Sequence, residues 1–263
     1  MIIDIATLFP EMCGSVLSES IIGRARAAGK LQVDCHDIRG FSENKHGRVD
    51  DSPYGGGMGM VLEPTPIYNC FRYIERLRGV RPHVIYLSPK GTVFCQKKAA
   101  QLAGFSHLLL ICGHYEGVDQ RILDEIVDEE ISIGDYVLTG GELGALVVVD
   151  AVGRLCEGVL SDESCYTEES HQGGLLEYPH YTRPPVWHGR AVPEVLLSGH
   201  HKNIARWRRD EALRLTLARR PDMLRQAELD KADRLFLQRL QQEIQEKNGF
   251  SDAGKDTGAD AGI

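Results

Sequence analysis

Five short apolar runs recur between Ile2 and Leu138, and they limit the folds open to this chain more than any other feature. Longer stretches with the mixed polar and apolar spacing of helices separate them. Strand-length apolar runs that alternate with helices are typical of an α/β fold, in which helices cover a largely parallel sheet. In chain order the runs are IIDIATLF, LQVDCHDI, HVIYLS, HLLLICG and EISIGDYVL.

The last run passes into a glycine-rich bend and then into an apolar helix. Residues 131–146 have the sequence ISIGDYVLTGGELGAL, with Gly134, Gly140 and Gly141 between the strand and the helix. Glycine permits positive φ and the close approach of another backbone. The bend therefore either brings backbone against a ligand or is a tight turn needed only for packing. It is not a phosphate loop, because no Gly-Lys-Ser/Thr follows it.

Two further glycine-bearing turns follow apolar runs, one at 86–91 and one at 112–117. Loops at the carboxyl ends of strands line the ligand crevice of an open parallel sheet. The three turns therefore predict a single pocket. None of them is a GxGxxG motif in register with a strand, so a standard dinucleotide-binding fold is not expected. A fourth glycine cluster, DDSPYGGGMGM at 50–60, is too long for a simple turn.

Composition places the chain among ordinary globular proteins, with 42% hydrophobic and 26% charged residues. The N-terminus has neither the basic region of a signal peptide nor an apolar run long enough to span a membrane, so we expect a cytoplasmic protein. The seven cysteines form no CxxC pair. Their odd number and their spacing argue against a disulfide framework or a zinc site.

Charge is distributed unevenly along the chain. Residues 1–182 carry 15 lysines and arginines against 26 aspartates and glutamates, whereas residues 183–247 carry 14 against 9. A basic C-terminal module on an acidic body suits a nucleic-acid partner, although a solvated helical surface gives similar counts.

Composition also predicts how the chain is divided. The polar, acidic stretch 161–174 with paired glycines is predicted to be a flexible linker. It separates a first domain, 1–160, from a small all-helical domain, 175–247. In the second domain, helices are predicted from Lys202 to Arg220, before Pro221, and from Lys231 to Glu246. The small and polar tail 248–263 is predicted to be disordered.

Six segments, in this order, carry a resemblance to a known family. They are DDSPYGGGMGM, VIYLSP, CGHYEGVDQR, SIGDYVLTGGEL, LLEYPHYTRP and VPEVLLSGHHKNIARWR. Over residues 1 to about 240 the chain resembles the bacterial tRNA (guanine-N1)-methyltransferases of the knotted, SPOUT-type superfamily. The resemblance implies a sheet threaded into a deep trefoil knot, an exception to the rule that chains avoid threading.

The resemblance also implies a reaction and a cofactor. A methyl group would pass from S-adenosylmethionine to N1 of the guanosine at tRNA position 37, next to the anticodon, and leave S-adenosylhomocysteine. The resemblance places the cofactor, in a bent conformation, against Tyr86, Leu87, Ser88, Pro89, Gly113, Tyr115, Glu116, Ile133, Gly134, Tyr136, Val137, Leu138, Gly140 and Gly141.

Two side chains are expected to assist the transfer. By resemblance, Arg154 stabilises the negative charge that develops on guanine O6. The alternative is a structural role, because the helix dipole favours a cation at the C-terminal end of a helix. The family's base is an aspartate, but the aligned residues here are Glu168, Glu169, Ser170 and His171. Our hypothesis is that Glu169 is the base, with about 1.5 Å more reach than aspartate. We expect the flexible linker, which orders with substrate, to absorb that difference. Glu168 and His171 are the alternatives.

Two further departures from the family pattern are expected to matter less. Gly144 stands where relatives commonly have proline, and His114 occupies a position that is arginine or histidine among them.

Partners follow from the same resemblance. Family members are homodimers with shared active sites, so Glu169 would act in the partner's site. Magnesium dependence is a family expectation, for which the sequence shows no dedicated ligand cluster. The plausible phosphate contacts for tRNA are Lys45, His46, Arg48, Lys202, Arg206, Arg208 and Arg209.

Two alternative functions stay open from the sequence. One is a knotted methyltransferase that acts on ribosomal RNA. The other is a catalytically silent RNA-binding module, which the change from aspartate to Glu169 makes conceivable.

Overall fold

The computed structural model describes residues 1–160, 169–171 and 173–253, with side chains as far as Glu246. The chain divides into two compact units, Met1–Glu163 and Ser164–Ile263. Positions 161–168 and 172 of the predicted linker, and positions 254–263 of the predicted tail, lie outside the described residues.

The first unit is built on a five-stranded parallel sheet. Its strand order is β2-β1-β6-β5-β7, and every neighbouring pair is parallel. Each strand comes from one of the five apolar runs, which confirms the predicted α/β fold. The strands are β1 Ile2–Thr7, β2 Gln32–Asp37, β5 His83–Val93, β6 His107–Cys112 and β7 Glu129–Ser132; a separate hairpin is formed by β3 Asp50–Asp51 and β4 Val61–Leu62.

Helices cover both faces of this sheet. Side chains alternate along each strand, so that Leu108 and Leu110 of β6 join one buried cluster while Leu109 and Ile111 join the other. Burial on both faces explains why the strands are almost continuously apolar. On one face lie α1 Pro10–Leu17, α2 Ser20–Ala27, α4 Gln96–Ala103 and α6 Glu142–Gly153; on the other lie the 3-10 helix Ile38–Phe41, α3 Pro64–Arg78 and α5 Gln120–Ile126.

Strand β5 is interrupted by a bulge that the sequence analysis treats as its end. Leu87 and Thr92 both stand opposite Ile131 of β7, so the residues between them leave the ladder before the strand resumes. The return is possible because residue 91 is glycine: a Cβ there would lie 2.4 Å from the backbone carbonyl carbon of Glu130.

Strand β7 is shorter than its apolar run. It ends at Ser132, because Gly134 has a φ of 147° and turns the chain. The Ser132 hydroxyl accepts a hydrogen bond from the Gly134 amide at 3.2 Å and donates one to the Gly134 carbonyl at 3.0 Å. The end of the run is therefore loop, available for a pocket wall.

The second unit is mainly helical. Among its described residues, the helices are α7 Glu194–Leu197, α8 His201–Arg219, the 3-10 helix Met223–Arg225 and α9 Lys231–Ala253. Leu213 and Leu237, from α8 and α9, form a small buried cluster with Leu175.

Two features of this unit differ from the sequence-based expectations. It is not all-helical, because β8 Val186–Trp187 and β9 Arg190–Ala191 form an antiparallel hairpin. The two turn residues between these strands, a histidine and a glycine, both have positive φ, as a type I′ turn requires. In addition, α9 continues past Glu246 into the segment predicted to be disordered, since extending a formed helix adds a hydrogen bond for each residue ordered.

Within the described residues, no helix combines the length and the apolar character needed to cross a membrane.

Candidate active site

A cavity of about 300 Å³ opens at the bulge of β5 and the carboxyl ends of β6 and β7. The three glycine-bearing turns form its walls, as the topology of a parallel sheet predicts. Every residue that the resemblance assigns to the cofactor pocket lines this cavity: Tyr86, Leu87, Ser88, Pro89, Gly113, Tyr115, Glu116, Ile133, Gly134, Tyr136, Val137, Leu138, Gly140 and Gly141.

Further lining residues were missed by the sequence analysis. Most are neighbours of predicted positions within the same three turns. Gln120 and Leu123 instead come from the start of α5, which follows β6. The sequence signal that could have found them is the position of this helix. Because it begins where a parallel strand ends, its first turn lies at the same edge of the sheet as the three turns. The additional residues are Lys90, His114, Gly117, Val118, Gln120, Leu123, Ile131, Ser132, Thr139 and Gly144.

The first wall is the bulge of β5. The Ser88 hydroxyl accepts a hydrogen bond from the Lys90 amide at 3.2 Å, which shapes the loop. Burial raises the pKa of Tyr86 to about 12, so its phenol stays protonated at neutral pH. A Cβ on Gly113 would lie 2.6 Å from that phenol oxygen. The glycine therefore makes room for the tyrosine at the base of the cavity.

The second wall is the turn after β6, and it contacts the glycine cluster at 50–60. The Glu116 amide donates to the Met60 carbonyl at 3.0 Å. A Cβ on Gly59 would lie 2.6 Å from Cγ of Glu116. Tyr115 adopts a φ of 58°, which turns the chain at the cavity. The long glycine cluster thus lies behind the second wall rather than forming a site of its own.

The third wall is formed by the glycine-rich bend within residues 131–146. The Gly141 amide donates to the Gly113 carbonyl at 2.9 Å, and a Cβ on Gly141 would lie 2.8 Å from Cα of Cys112. The glycine at 141 therefore serves packing and pocket formation at once. The second and third walls can meet only if the backbone of Gly141 contacts the backbone at Cys112 and Gly113. The loop containing Gly134 completes the wall, where a Cβ would lie 2.5 Å from the Tyr136 ring.

Helix α6 fixes the third wall to the sheet. Its first residue, Glu142, is buried and accepts a hydrogen bond from the Thr7 hydroxyl of β1 at 2.8 Å. At its other end lies Arg154, half-buried, whose amide donates to the Asp150 carbonyl at 3.2 Å. The arginine expected to stabilise charge on O6 therefore lies on the helix that closes the cavity wall, one helix length away from the glycines.

Apolar and aromatic side chains form an exposed rim around the cavity. Tyr115, Tyr136, Val137 and Leu138 all keep much of their surface accessible, and Val137 is 83% exposed. Such side chains are usually buried, so their exposure at a cavity mouth marks a surface available to a ligand or another chain.

The candidate base lies in the second unit. Glu169 lines a separate cavity of about 280 Å³ together with Tyr178 and Arg208. The Arg208 guanidinium lies 4.9 Å from the centre of the Tyr178 ring, an arrangement that attracts a cation to the ring face.

Hydrogen bonds shape the turn that carries Glu169. The Ser170 hydroxyl accepts from the Glu177 amide at 3.0 Å, and the His171 amide donates to the Leu175 carbonyl at 2.9 Å. His171 is exposed and has a φ of 74°. The other alternative base, Glu168, lies outside the described residues.

The arginines of α8 are not equivalent. The Asp233 carboxylate, 2% exposed, binds Arg206 at 3.1 Å and Arg209 at 2.8 Å, and Arg206 also pairs with Asp210. Although burial alone raises the pKa of Asp233, its hydrogen bonds with Arg209 and the charge of Arg206 hold that pKa below its ordinary value. These two arginines therefore fasten α8 to α9.

The other predicted phosphate contacts differ in their surroundings. Arg48 pairs with Asp51 at 2.7 Å. Lys45, His46 and Lys202 are exposed, and their side chains make no hydrogen bond or ion pair with the described part of the chain. Of the predicted contacts, these three side chains are therefore the most accessible to RNA.

The acidic, histidine and cysteine side chains bear on metal binding and disulfide formation. Within residues 1–160, 169–171 and 173–253, no group of three or more His, Cys, Asp or Glu side chains is arranged to hold a metal ion. The six cysteines in these ranges are free, and Cys165 lies outside them.

Comparison with known proteins places the chain in a family. The family model described as tRNA (Guanine-1)-methyltransferase TrmD matches residues 1–226. A tRNA (guanine-N(1)-)-methyltransferase of Alkaliphilus oremlandii is 54% identical over 245 residues, which are 91% of this chain and 98% of the relative. One of Chloroflexus aggregans is 55% identical over 238 residues, 89% of this chain and 93% of the relative.

Structural comparison agrees with these matches. The chain is similar to the crystal structure of tRNA (m1G37) methyltransferase from Aquifex aeolicus, with a TM-score of 0.71 and 40% sequence identity. The match covers 86% of this chain and 95% of that one. The cavity, the order of the motifs and these matches lead to one conclusion: the chain belongs to the tRNA (guanine-1)-methyltransferase family.

Proposed function

We propose that this enzyme transfers a methyl group from S-adenosylmethionine to N1 of guanosine 37 in tRNA. Its family gives the reaction class, and the Aquifex aeolicus relative is named as an m1G37 methyltransferase. The observation that carries the proposal is the cavity at the bulge of β5 and the carboxyl ends of β6 and β7, where the three motif-bearing turns meet.

The cavity suits a methyl donor with a nucleoside group. At about 300 Å³, it lies at the lower end of the range for small-molecule sites. Glycines at 113, 134, 140 and 141 expose backbone on its walls, where a Cβ would collide with neighbouring atoms. When bound, S-adenosylmethionine supplies an electrophilic methyl group on a positively charged sulfur. The residues proposed to hold it are those of the three turns.

The acceptor nitrogen must be activated by the protein. Guanine N1 carries a proton and is a poor nucleophile until that proton leaves. We propose that the Glu169 carboxylate accepts it as general base, a role worth about 10²- to 10⁴-fold in rate. As the proton leaves, negative charge builds on O6, and the Arg154 guanidinium is the group proposed to stabilise it.

The first unit carries a surface suited to a second copy of the chain. Helix α6 is mostly apolar, with Asp150 as its one exposed charge, and such a helix is normally buried. Yet Leu143 and Val147 of α6 are 49% and 45% exposed, and Met12 and Val16 of α1 are 44% and 55% exposed. Because α1 packs against α6, this α1–α6 face supports a homodimer in which Glu169 serves the partner's cavity.

Threading of the chain is part of the proposal. The backbone of Gly91 approaches Glu130, and that of Gly141 approaches Cys112, more closely than any side chain would allow. These two close approaches support the trefoil knot that the resemblance implies.

We propose tRNA as the partner of this enzyme and the cytoplasm as its location. Lys45, His46, Lys202 and Arg208 are the proposed phosphate contacts whose side chains make no ion pair with a carboxylate among the described residues. Binding that relies on such contacts weakens steeply as salt is raised.

The proposal is tested by methyl transfer to two tRNA transcripts that differ only at position 37. Transfer to the transcript with guanosine and none to the transcript with adenosine is the expected result. Equal transfer to both, or to ribosomal RNA alone, overturns it. Binding of both cofactor and tRNA without any transfer would favour the silent RNA-binding module. Repeating the assay with EDTA tests the magnesium dependence that the family suggests.

A further inference from the structure

The hairpin formed by β8 and β9 is the most exposed ordered segment of the second unit. Side chains from 180 to 191 are all exposed, and Trp187 and Val186 keep 62% and 56% of their surface accessible. An isolated two-stranded hairpin contributes little to stability in water. Folding therefore does not account for a large aromatic residue at this position.

The backbone geometry of the hairpin nevertheless defines the position of Trp187. His188 and Gly189 form its two-residue turn, with φ values of 47° and 76°. The Val192 amide donates to the Pro185 carbonyl at 2.9 Å, which extends the pairing beyond the strands. The His188 ring stands edge-on to the Trp187 ring, with the ring centres 4.3 Å apart.

A positive charge lies beside the indole. Trp187 and Arg190 are directly opposite each other in the hairpin, so their side chains share one face and their Cβ atoms are about 5 Å apart. Val186 and Ala191 occupy the other face. One face of the hairpin thus presents an aromatic surface and a guanidinium together.

The charge of Arg190 is not neutralised by its surroundings. Within the described residues, no carboxylate lies within ion-pair distance of it. Arg190 differs in this from Arg209, Arg214 and Arg220, which pair with Asp233, Glu211 and Asp222. An uncompensated guanidinium beside an exposed aromatic ring is suited to a partner that carries both flat apolar groups and negative charge.

We propose that this hairpin face binds an unpaired nucleotide of the tRNA anticodon loop. Trp187 stacks on its base, and Arg190 contacts the adjoining phosphate. Aromatic side chains with neighbouring cations are the usual elements for single-stranded RNA, whose bases are free to leave the loop. The inference rests on tRNA being the substrate, and it adds a binding residue outside both cavities.

The chain is suited to a direct spectroscopic test, because it has two tryptophans, Trp187 and Trp207. In a Trp207→Phe variant that retains methyl transfer, the fluorescence reports on Trp187 alone. Saturation with a tRNA anticodon stem-loop should quench this emission and protect it from acrylamide. A blunt RNA duplex of the same length should do neither.

Three outcomes would overturn the inference. The emission and its acrylamide access could stay unchanged when the stem-loop is saturating. The duplex could quench as strongly as the stem-loop. Trp187 could already be shielded from acrylamide before RNA is added, which would assign it to contacts between protein chains. Failure of the wild-type enzyme to bind or methylate tRNA would instead reject the proposed function.

Substitutions give an independent test. Trp187→Leu should weaken tRNA binding by about 10-fold, whereas Trp187→Phe should retain most of the affinity. Arg190→Gln should reduce the slope of log affinity against log salt by about 0.7. Val186→Thr, on the opposite face, is the matched control and should change neither quantity. Equal affinity for Trp187→Leu and wild type would contradict the proposal, provided that circular dichroism shows both to be folded.

Discussion

At the residue scale, the account depends most on Glu169. The turn that carries Glu169 is shaped by its neighbours. The Ser170 hydroxyl accepts a hydrogen bond from the Glu177 amide, and His171 has a positive φ. A glutamate in place of the family's aspartate changes the reach of the carboxylate by about 1.5 Å. Geometry errors of about 1 Å can cost on the order of 10²-fold in rate, so the fit of this side chain is testable.

Replacing Glu169 with glutamine should slow single-turnover methyl transfer by about 10²- to 10⁴-fold, because the amide cannot accept the N1 proton. Affinity for tRNA should change little. Rapid-quench measurement with excess enzyme isolates this step. The matched Glu169→Asp variant keeps the carboxylate and should retain measurable transfer. An unchanged rate for Glu169→Gln would show that another group is the base.

Substitutions on α8 should distinguish a residue that stabilises the second unit from a residue that binds RNA. Lys202→Gln should weaken tRNA binding and lower its salt dependence without a change in thermal stability. Arg209→Gln should destabilise the second unit, because it leaves buried Asp233 with one cation fewer. Thermal denaturation and tRNA titration of the two variants provide the comparison. Equal stability of both variants would contradict the structural role of Arg209.

A buried carboxylate in the sheet should control acid stability. Asp4 is fully buried and hydrogen-bonds His107, His36 and Arg78 at 2.8, 2.7 and 2.7 Å. Although burial alone raises the pKa of Asp4, these hydrogen bonds hold it well below its ordinary value. Its contribution to stability is therefore complete above the unfolded-state pKa of about 3.9 and is lost as the pH falls towards the folded-state pKa.

Urea denaturation between pH 6 and 3, as a rough range around that unfolded-state value, measures this effect. The free energy of unfolding should fall as the pH drops below about 4. Asp4→Asn should cost about 3 to 5 kcal/mol at neutral pH and flatten the acid slope. Asp34→Asn is the control, because Asp34 also pairs with Arg78 but is 43% exposed. A loss for Asp34→Asn as large as for Asp4→Asn would contradict the account.

At the element scale, local sequence predicted the strands of the main sheet. It predicted neither the bulge in β5 nor the β8–β9 hairpin. HLLLICG predicts β6 correctly because a central parallel strand must be apolar on both faces. The bulge in β5 depends on Gly91 passing the backbone of Glu130, a contact between distant segments that no local pattern encodes. The β8–β9 hairpin was missed for another reason: its turn is His188-Gly189, without the usual asparagine or aspartate before the glycine.

Two glycines near the cavity should respond in opposite ways to alanine. At Gly91 a Cβ would meet backbone at 2.4 Å, so Gly91→Ala should destabilise the fold by about 1 to 3 kcal/mol. At Gly144, in the first turn of α6, it would meet the Leu87 side chain at 3.3 Å, which can shift. Gly144→Ala should therefore stabilise by about 0.5 kcal/mol, through a less flexible unfolded chain.

Differential scanning calorimetry of the two variants tests this expectation. Gly104→Ala, at the end of α4, is a further comparison, because its Cβ would approach a single carbonyl oxygen at 3.2 Å. A loss of stability for Gly144→Ala equal to that for Gly91→Ala would show that Leu87 cannot move.

At the scale of the whole molecule, sequence predicted the pocket better than it predicted the RNA contacts. The pocket could be inferred because strand ends in a parallel sheet meet at one edge. The segment 183–247 carries an excess of lysine and arginine, but counting charges cannot distinguish Arg209, which pairs with Asp233, from exposed Lys202. That distinction requires the packing of α8 against α9.

Shared active sites predict complementation between two inactive variants. Arg154→Ala and Glu169→Gln should each abolish most activity, while a refolded equimolar mixture should recover about a quarter of the wild-type rate, since half of the dimers then contain one intact site. A mixture that stays inactive while forming mixed dimers would place both residues in the same chain's site.

We propose that this cavity, with Arg154 and Glu169 as its two assisting side chains, methylates one atom of one nucleotide. The most direct test is mass spectrometric analysis of nucleosides and fragments from tRNA incubated with the enzyme and S-adenosylmethionine. The account predicts 1-methylguanosine, confined to the fragment that contains position 37. Methylation at another position, at another atom of the guanosine or on a ribose would contradict it.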